Sequence, residues 1–403
     1  MWFEGCLEKV GRVRVASQCT VPSAMTKGNR RMNASSAGKV IHLASSHKMG
    51  LTAQETELAI AYRKLDYFDL LVVTGENEQF EGCFTKLLDR KVKNTVIQGF
   101  DEHSDFFRLI REFVKQCNAF QPDVVTLNTN WQLLIAGVAR IFCRTKFKIV
   151  YTIHGFRHNE GNKSHFARIL IGMLLYLFAD KINAPTNYVA EKFRVFKNKL
   201  VSIPLGEDTI FFDESRPIQL DQELGIIFPA QFRKGKNHEL LIVALCKYIE
   251  QTGDKNITLY LPGSGNLRPS AQQLAIDLGI SNSVNFPGQL SREEVLTLYC
   301  KCQIAIVPTN SETFGHCIAE PLVLQRILIT RHVGVAIDVV KHGENGFFFE
   351  SAEDLVTCLK DIRRMSFEKL MRISRNAKET GEMFRWENIA NRHYNEILKN
   401  YFI

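Results

Sequence analysis

Short apolar runs alternate with amphipathic segments along this chain, and the alternation starts twice. In the first half the predicted strands are 39–44, 69–75, 123–128, 148–155, 181–185 and 200–206. In the second half they are 224–230, 257–263, 284–289, 304–309, 327–330 and 346–350. Continuous apolar strands separated by helices are typical of a parallel sheet that is covered on both faces. The pattern therefore predicts an α/β protein with two doubly wound, Rossmann-like parallel sheets.

The polar stretch 207–222 separates the two patterns and is predicted to be a linker between domains 39–206 and 223–384. Ligands of open parallel sheets bind beyond the carboxyl ends of the strands, so two facing sheets are expected to form a cleft. Residues 1–38 are basic and show neither helical periodicity nor an apolar secretion signal. We expect a disordered extension there, with a transit peptide as the alternative interpretation.

The composition indicates a folded globular chain whose partners are anionic small molecules or membrane surfaces. Of the 403 residues, 45% are hydrophobic and 23% are charged, and the net charge of +8 is too small to indicate nucleic acid. Ten cysteines without a CxxC pair predict reduced thiols in a cytosolic protein and no zinc site. The most apolar stretch, 169–179, is too short to span a bilayer. It is predicted either as a core helix or, with the basic residues before it, as a surface that contacts anionic lipid.

The most informative segment is 308–321, PTNSETFGHCIAEP, which leads from a predicted strand into a predicted helix. If the helix begins near His316, Glu312 lies in the loop and Glu320 about one turn into the helix. A helix N-terminus suits a diphosphate, and carboxylates suit the hydroxyls of sugars. A glutamate near a helix start is by itself also explained as a partner of the helix dipole, so the neighbouring motifs decide.

These two glutamates, with Phe314 and Gly315 between them, resemble the E-x7-E signature of the family 4 glycosyltransferases, which are retaining enzymes with the GT-B fold. Further segments resemble motifs of that family in the same order. They are YTIHG (151–155), PLGEDTIFF (204–212, family P-N-G-V-D-x-x-x-F), FPAQFRKGKNH (228–238), PGSG (262–265), VNFPG (284–288), NGFFF (345–349) and FRWENIA (384–390). The resemblance implies a GT-B fold with two Rossmann-like domains facing across a cleft. It also implies that a C-terminal helix, 385–403, crosses back onto the first domain.

The same resemblance implies roles for individual residues. Glu312 would hold hydroxyls of the donor sugar, Glu320 the ribose hydroxyls, Lys236 the diphosphate, and His154 would face the sugar across the cleft. The remaining donor-binding candidates are Phe314, Gly315, Gly288, Arg233, Gln231 and Gly50. No Asp-x-Asp dyad is present to hold a divalent metal, so neither a metal nor a cofactor is expected.

Three features depart from the family pattern. The arginine usually found five residues before the lysine is Gln231, so Arg233 or Lys234 would have to supply the second positive charge. The N-terminal Gly-Gly loop is reduced to Gly50, the one candidate for close backbone approach to phosphate. After Glu320 the usual small residue is Pro321.

The predicted function is transfer of a sugar, with retention, from a nucleoside diphosphate sugar to a hydroxyl of a growing glycan in cell-surface polysaccharide synthesis. A lipid-linked acceptor and contact with the inner face of a membrane are expected by analogy with the family. Two alternatives are a nucleotide-sugar epimerase on the same fold, which E-x7-E disfavours, and a catalytically silent glycan- or nucleotide-binding subunit, which Gln231 favours.

Overall fold

A computed structural model describes residues 38–45, 49–75, 81–98, 100, 105–154, 162–219 and 223–402. The extension predicted at 1–38 lies outside these residues, apart from Gly38, which begins the first strand.

The first half forms a sheet of seven parallel strands in the order β3-β2-β1-β4-β5-β6-β7. The strands are β1 Gly38–Ala44, β2 Phe68–Thr74, β3 Asn94–Val96, β4 Val124–Leu127, β5 Lys148–Thr152, β6 Lys181–Asn183 and β7 Leu200–Val201. The helices between them are α1 Met49–Leu65, α2 Glu81–Asp89, α3 Phe106–Phe120, α4 Asn130–Phe142, α5 Asn162–Phe178 and α6 Asn187–Lys192. Strands β1, β4 and β5 are almost wholly buried because helices cover both faces of the sheet.

A short helix, α7 Thr209–Asp213, leads to a second sheet of six parallel strands in the order β10-β9-β8-β11-β12-β13. Its strands are β8 Leu224–Ile227, β9 Ile257–Pro262, β10 Val284–Gly288, β11 Ile304–Val307, β12 Ile327–Thr330 and β13 Phe347–Phe348. Its helices are α8 His238–Thr252, α9 Arg268–Asp277, α10 Arg292–Lys301, α11 His316–Val323, α12 Ala336–Val339, α13 Ala352–Arg364, α14 Phe367–Gly381 and α15 Trp386–Glu396. The prediction of two Rossmann-like parallel sheets is confirmed.

The predicted and observed elements differ mainly at their ends. Strands β5 and β7 stop at Thr152 and Val201, whereas the apolar runs continue to 155 and 206. Of those extra residues, the described ones, 153–154 and 202–206, belong to loops at the carboxyl edge of the sheet. The prediction missed β3, α2, α7 and α14, although α14 begins at a Ser366 cap and buries Leu370, Ile373 and Ala377 at helical spacing.

Helix α15 packs on the first half rather than on the second. Trp386, Ile389 and Ala390 are buried in one apolar cluster with Val40 of β1 and Tyr62 of α1. The indole of Trp386 lies so close to Gly206 that a methyl group there would be 2.3 Å from the ring. The chain therefore leaves the first half, builds the second and returns to complete the first core.

Helix α5 is only partly a core helix. Leu175 is fully buried, whereas five large apolar side chains at positions i, i+1, i+4, i+7 and i+8 point outward and are 48 to 69% exposed. These residues, which we call the outer face of α5, are Ile169, Leu170, Met173, Tyr176 and Leu177. Among the described residues, no helix has both the length and the hydropathy to cross a bilayer.

Candidate active site

Two loops at the carboxyl edge of the second sheet are tied together by Asn237. This residue adopts a left-handed conformation with φ of 56° at the start of α8. Its amide nitrogen donates to the carbonyl of Pro308, at 2.8 Å, and to Oδ1 of Asn310, at 2.6 Å. The N–H of Asn310 in turn donates to the carbonyl of Gly235. The loop after β8 is thereby held against the loop after β11.

This arrangement places Lys236 directly against Glu312. The ammonium group and the carboxylate form an ion pair, and the two side chains are only 13% and 14% exposed. A charge-assisted contact of this kind is stronger than one at the open surface, because little water competes with it. Two residues that the sequence analysis assigned to one site are therefore in contact.

The turn from this loop into α11 depends on Gly315. Its φ of 94° lies in the left-handed region, and a methyl group there would be 2.8 Å from Ile318 and 3.3 Å from Glu312. Because α11 begins at His316, the N–H groups of His316 and Cys317 have no helical acceptor one turn earlier, whereas that of Ile318 already donates to the carbonyl of Gly315. These free N–H groups lie at the N-terminus of α11, the end that follows the loop containing Glu312. The ring of Phe314 is buried against Phe384, so only its backbone is available to a ligand.

Glu320, one turn into α11, lies deeper than the loop residues. It is 7% exposed, accepts a hydrogen bond of 3.2 Å from the hydroxyl of Tyr299, and lies 3.7 Å from the guanidinium of Arg292. Burial, with the nearby carboxylate of Glu207, raises the pKa of Glu320 to about 7, while Arg292 and His316 oppose that rise.

A second carboxylate that the sequence analysis did not select, Glu207, contacts the first residue of α11. Its Oε1 lies 2.6 Å from Nδ1 of His316, which can only donate to it. Nε2 of His316 contacts the side-chain amide of Gln54 in α1, so His316 connects the two halves across the cleft. Burial disfavours a charged ring, but the charge and hydrogen bond of Glu207 raise the pKa of His316 above its ordinary value.

The first half contributes His154, in the loop after β5. Its Nε2 lies 3.2 Å from Oδ1 of Asn128, whose amide donates to Glu55 at 2.6 Å. A small cavity is lined by His154, Asn128 and Gln54 together with other residues of the first half and of α15. Since Gln54 contacts His316, His154 lies one side chain away from the start of α11.

The other predicted residues lie nearby but with less contact. Gln231 and Arg233 are exposed in the loop after β8, where the carbonyl of Arg233 accepts a hydrogen bond from the N–H of Lys236. Gly288 ends β10 and its carbonyl accepts from the N–H of Gly263 at 2.7 Å. Gly50 lies in the first turn of α1, one turn before Gln54.

Family models match both halves of the chain. The family described as Glycosyltransferase Family 4 matches residues 56–210, and the family described as Glycosyl transferases group 1 matches residues 211–380. The chain belongs to the family 4 glycosyltransferases. Its resemblance to them, predicted from the E-x7-E signature and the accompanying motifs, is confirmed.

Individual glycosyltransferases are similar to this chain at low sequence identity. A glycosyltransferase of Methanocaldococcus jannaschii is 27% identical over 187 residues, which are 46% of this chain and 47% of that protein. The α-monoglucosyldiacylglycerol synthase of Acholeplasma laidlawii is 25% identical over 68% of this chain and 75% of the synthase. The chain thus spans about half the length of the first of these relatives.

Among solved structures, HepE of Anabaena in complex with UDP and glucose superposes with a TM-score of 0.70. It is 18% identical and covers 89% of this chain and 99% of HepE. At that identity the likeness concerns the fold, which is that of this glycosyltransferase family.

Sequence reasoning missed Glu207, His316, Gln54 and Arg292. One of them carried a signal, because Glu207 stands where the family motif P-N-G-V-D has valine. A carboxylate at an apolar position indicates a partner elsewhere in the fold. The other three become recognisable only when α1, α10 and α11 are brought together.

Proposed function

We propose that this chain is a retaining, metal-independent glycosyltransferase that moves a sugar from a nucleoside diphosphate sugar to a hydroxyl of a growing, lipid-linked glycan. The observation that carries the proposal is the Lys236–Glu312 ion pair at the start of α11. It combines, in one partly buried place, a cation and free N–H groups suited to a diphosphate with a carboxylate suited to sugar hydroxyls. HepE, which has this fold, is described in complex with UDP and glucose, and this supports a nucleotide-sugar donor.

The proposed chemistry proceeds on one face of the donor sugar. The bond between the anomeric carbon and the diphosphate oxygen breaks, and its electron pair stays on that oxygen. The acceptor oxygen bonds to the same face of the carbon, and its proton passes to the leaving diphosphate. Lys236 and the start of α11 stabilise the growing charge, and no carboxylate acts as nucleophile.

Other predicted residues orient the donor in this proposal. Glu312 accepts hydrogen bonds from sugar hydroxyls, and His154 faces the sugar from the first half. Glu320 accepts from the ribose hydroxyls through the oxygen that faces Arg292, whose half-exposed side chain can move aside. Glu320→Ala should therefore weaken donor affinity more than turnover, because ribose contacts change little between ground and transition states.

The outer face of α5 supports the proposal of a membrane-borne acceptor. A cation borders it, because Lys199 lies over the ring of Tyr176 and donates to the carbonyl of that residue at 2.8 Å. An apolar helix face with a basic border suits an anionic bilayer. Among the relatives, the Acholeplasma laidlawii synthase is named for a diacylglycerol product. On this proposal the chain works at the inner face of the membrane.

Cosedimentation with phosphatidylglycerol vesicles tests this membrane contact. Met173→Ser combined with Leu177→Ser should lower the bound fraction several-fold. Val195→Ser, which removes an 80% exposed apolar side chain outside the outer face of α5, should leave the bound fraction unchanged. Equal binding by wild type and the double variant would contradict the membrane contact.

A panel of nucleotide sugars, screened by thermal shift and then by product formation, tests the transferase itself. A donor at about 100 times its dissociation constant should stabilise the fold by roughly 2.7 kcal/mol. Glu312→Gln should lower turnover at least about tenfold and leave the fold intact, because a charge-assisted hydrogen bond is worth about 1.5–3 kcal/mol. Wild-type turnover in that variant would remove Glu312 from the site.

A catalytically silent binding subunit is the second candidate, and Gln231 favours it because the usual arginine is missing. Release of nucleoside diphosphate from the donor, with or without acceptor, separates the two functions. A silent subunit would bind the donor and release none.

A further inference from the structure

Glu207 is a buried carboxylate with an incomplete set of partners. It is 1% exposed, and its Oε2 has no hydrogen-bond partner among the residues that the structure describes. An ionised carboxylate in such a place is costly unless a cation is next to it. Its close contact is Nδ1 of His316, at 2.6 Å, so a protonated His316 would supply that cation.

The charged groups around His316 come from several elements. Glu207 follows β7, Glu320 lies on α11 itself, and Arg292 reaches over from α10 to within 3.3 Å of Asp208 and 3.7 Å of Glu320. Three carboxylates therefore surround one arginine. From α1 the ring meets the amide nitrogen of Gln54, which is a donor, so the imidazolium form requires the Gln54 amide to turn and present its oxygen. The cluster accommodates the imidazolium form without any further cation.

His316 also lies where the departing diphosphate would be. It is the first residue of α11, and its ring touches Gln54, one turn after Gly50 in α1. The start of α11 and the second turn of α1 thus meet at this ring. In the loop after β8, position 231, where the family has an arginine, holds an uncharged and exposed glutamine.

We propose that His316, held as an imidazolium by Glu207, supplies the second positive charge to the leaving diphosphate in place of the arginine missing at position 231. The proposal rests on the proposed glycosyl transfer. When the bond from the anomeric carbon to the phosphate oxygen breaks, the electron pair remains on that oxygen, which takes the acceptor's proton. His316 keeps both of its protons and donates from Nε2 after Gln54 moves aside.

The variant His316→Gln tests the role, because glutamine retains a donor but not the charge. We expect kcat to fall about ten- to hundredfold, with a smaller change in the KM of the donor. Since Glu207 raises the pKa of His316, wild-type kcat should decline as the pH rises through that pKa, and the decline should be absent from His316→Gln. Glu207→Gln should move the decline to lower pH, a readout that a merely structural role would not change.

Two further variants sharpen the result. Adding Gln231→Arg to His316→Gln should restore part of the lost kcat. In the wild-type background, Gln231→Arg should change kcat by a smaller factor. His332→Gln, which removes an exposed histidine paired with Glu350, should leave activity unchanged. Unfolding midpoints of each variant check the fold, and Glu207→Gln carries the test if His316→Gln does not fold.

Wild-type kcat and pH profile in His316→Gln would overturn the proposal while leaving the transferase in place. If the wild type transfers no sugar from any donor, the proposed function fails separately. Calorimetry with UDP, ADP and GDP then decides about His316: the best-bound diphosphate should bind several-fold more weakly to His316→Gln at pH 6. Equal binding, or no binding by the wild type, would overturn the charge assignment.

Discussion

Histidines in two regions of this protein face different kinds of partner. In the first half, Nδ1 of His42 lies 2.7 Å from the hydroxyl of Thr126, and Nδ1 of His393 lies 2.6 Å from the hydroxyl of Tyr62. At the cleft, the partner of His316 is the carboxylate of Glu207. We call the first pair the neutral cluster and the groups around His316 the charged cluster.

Burial disfavours the charged imidazolium ring in both clusters, yet the pKa values of the histidines shift in opposite directions. In the neutral cluster, burial lowers the pKa of His42 to about 4 and that of His393 to about 3. In the charged cluster, Glu207 outweighs burial and raises the pKa of His316. Two differences separate the clusters: His316 faces a carboxylate and its side chain is 30% exposed, whereas His42 and His393 face neutral hydroxyls and are only 1% and 4% exposed. The histidines of the neutral cluster contribute to packing, whereas the charged cluster lies at the cleft, where a ligand is expected to bind.

The largest expected effect is on activity, from removing Lys236, the cation of the ion pair with Glu312. Lys236→Ala should lower kcat/KM at least about a hundredfold, because its charge faces the leaving group as the bond breaks. Lys234→Ala removes an exposed lysine of the same loop and is the matched control. If Lys236→Ala transfers sugar at the wild-type rate, the phosphate assignment of this loop is wrong.

A smaller effect, on stability, is expected in the neutral cluster. His393→Leu should lower the free energy of unfolding by about 1–3 kcal/mol in urea titrations, because the fully buried hydroxyl of Tyr62 loses its partner. The folded pKa of His393, about 3, is below the unfolded value of 6.5, so wild type loses stability as the pH falls below 6.5. His393→Leu should show less of this acid loss, and the surface variant His332→Leu should show all of it.

The opposite dependence of stability on pH is expected for Glu320. Its folded pKa of about 7 exceeds its unfolded value near 4.5, so between these values the folded state holds the extra proton. Stability contributed by this group therefore falls as the pH rises from 4.5 to 7. Urea titrations measure the free energy of unfolding at each pH. As the pH rises from 5 to 8, the free energy of unfolding of Glu320→Gln should increase by roughly 1–3 kcal/mol relative to that of wild type. A difference that does not change with pH would show that Glu320 is ionised throughout.

The smallest effect is expected from removing metal ions. Lys236 and the start of α11 are proposed to do what a divalent ion does elsewhere, so transfer should persist in excess EDTA. The part of the chain that the structure describes contains no group of three or more His, Cys, Asp or Glu residues able to hold a metal. Loss of activity that magnesium or manganese restores would contradict this prediction.

The fold could be predicted because parallel strands and amphipathic helices leave local periodicities in the sequence. The Lys236 loop and the Glu312 loop could be assigned to one site for a related reason, since loops after neighbouring strands meet at the carboxyl edge. The domain boundaries at 206, 222 and 384 stay a prediction.

The charged cluster could not be predicted in the same way. Its members, Glu207, Arg292 and His316, come from three separate segments, and no local period reports how their side chains meet. The outer face of α5 was equally ambiguous, because an apolar segment looks alike whether one or both of its sides are buried.

The return of α15 to the first half has a consequence for how the protein is made. During synthesis, Trp386 and Ile389 leave the ribosome only after the whole of the second sheet. Until then Val40, Tyr62 and Gly206 lack the apolar surface that covers them in the finished protein. The first half is thus made first but can close its core only after the second, and a chain interrupted before residue 386 would expose that surface to chaperones and proteases.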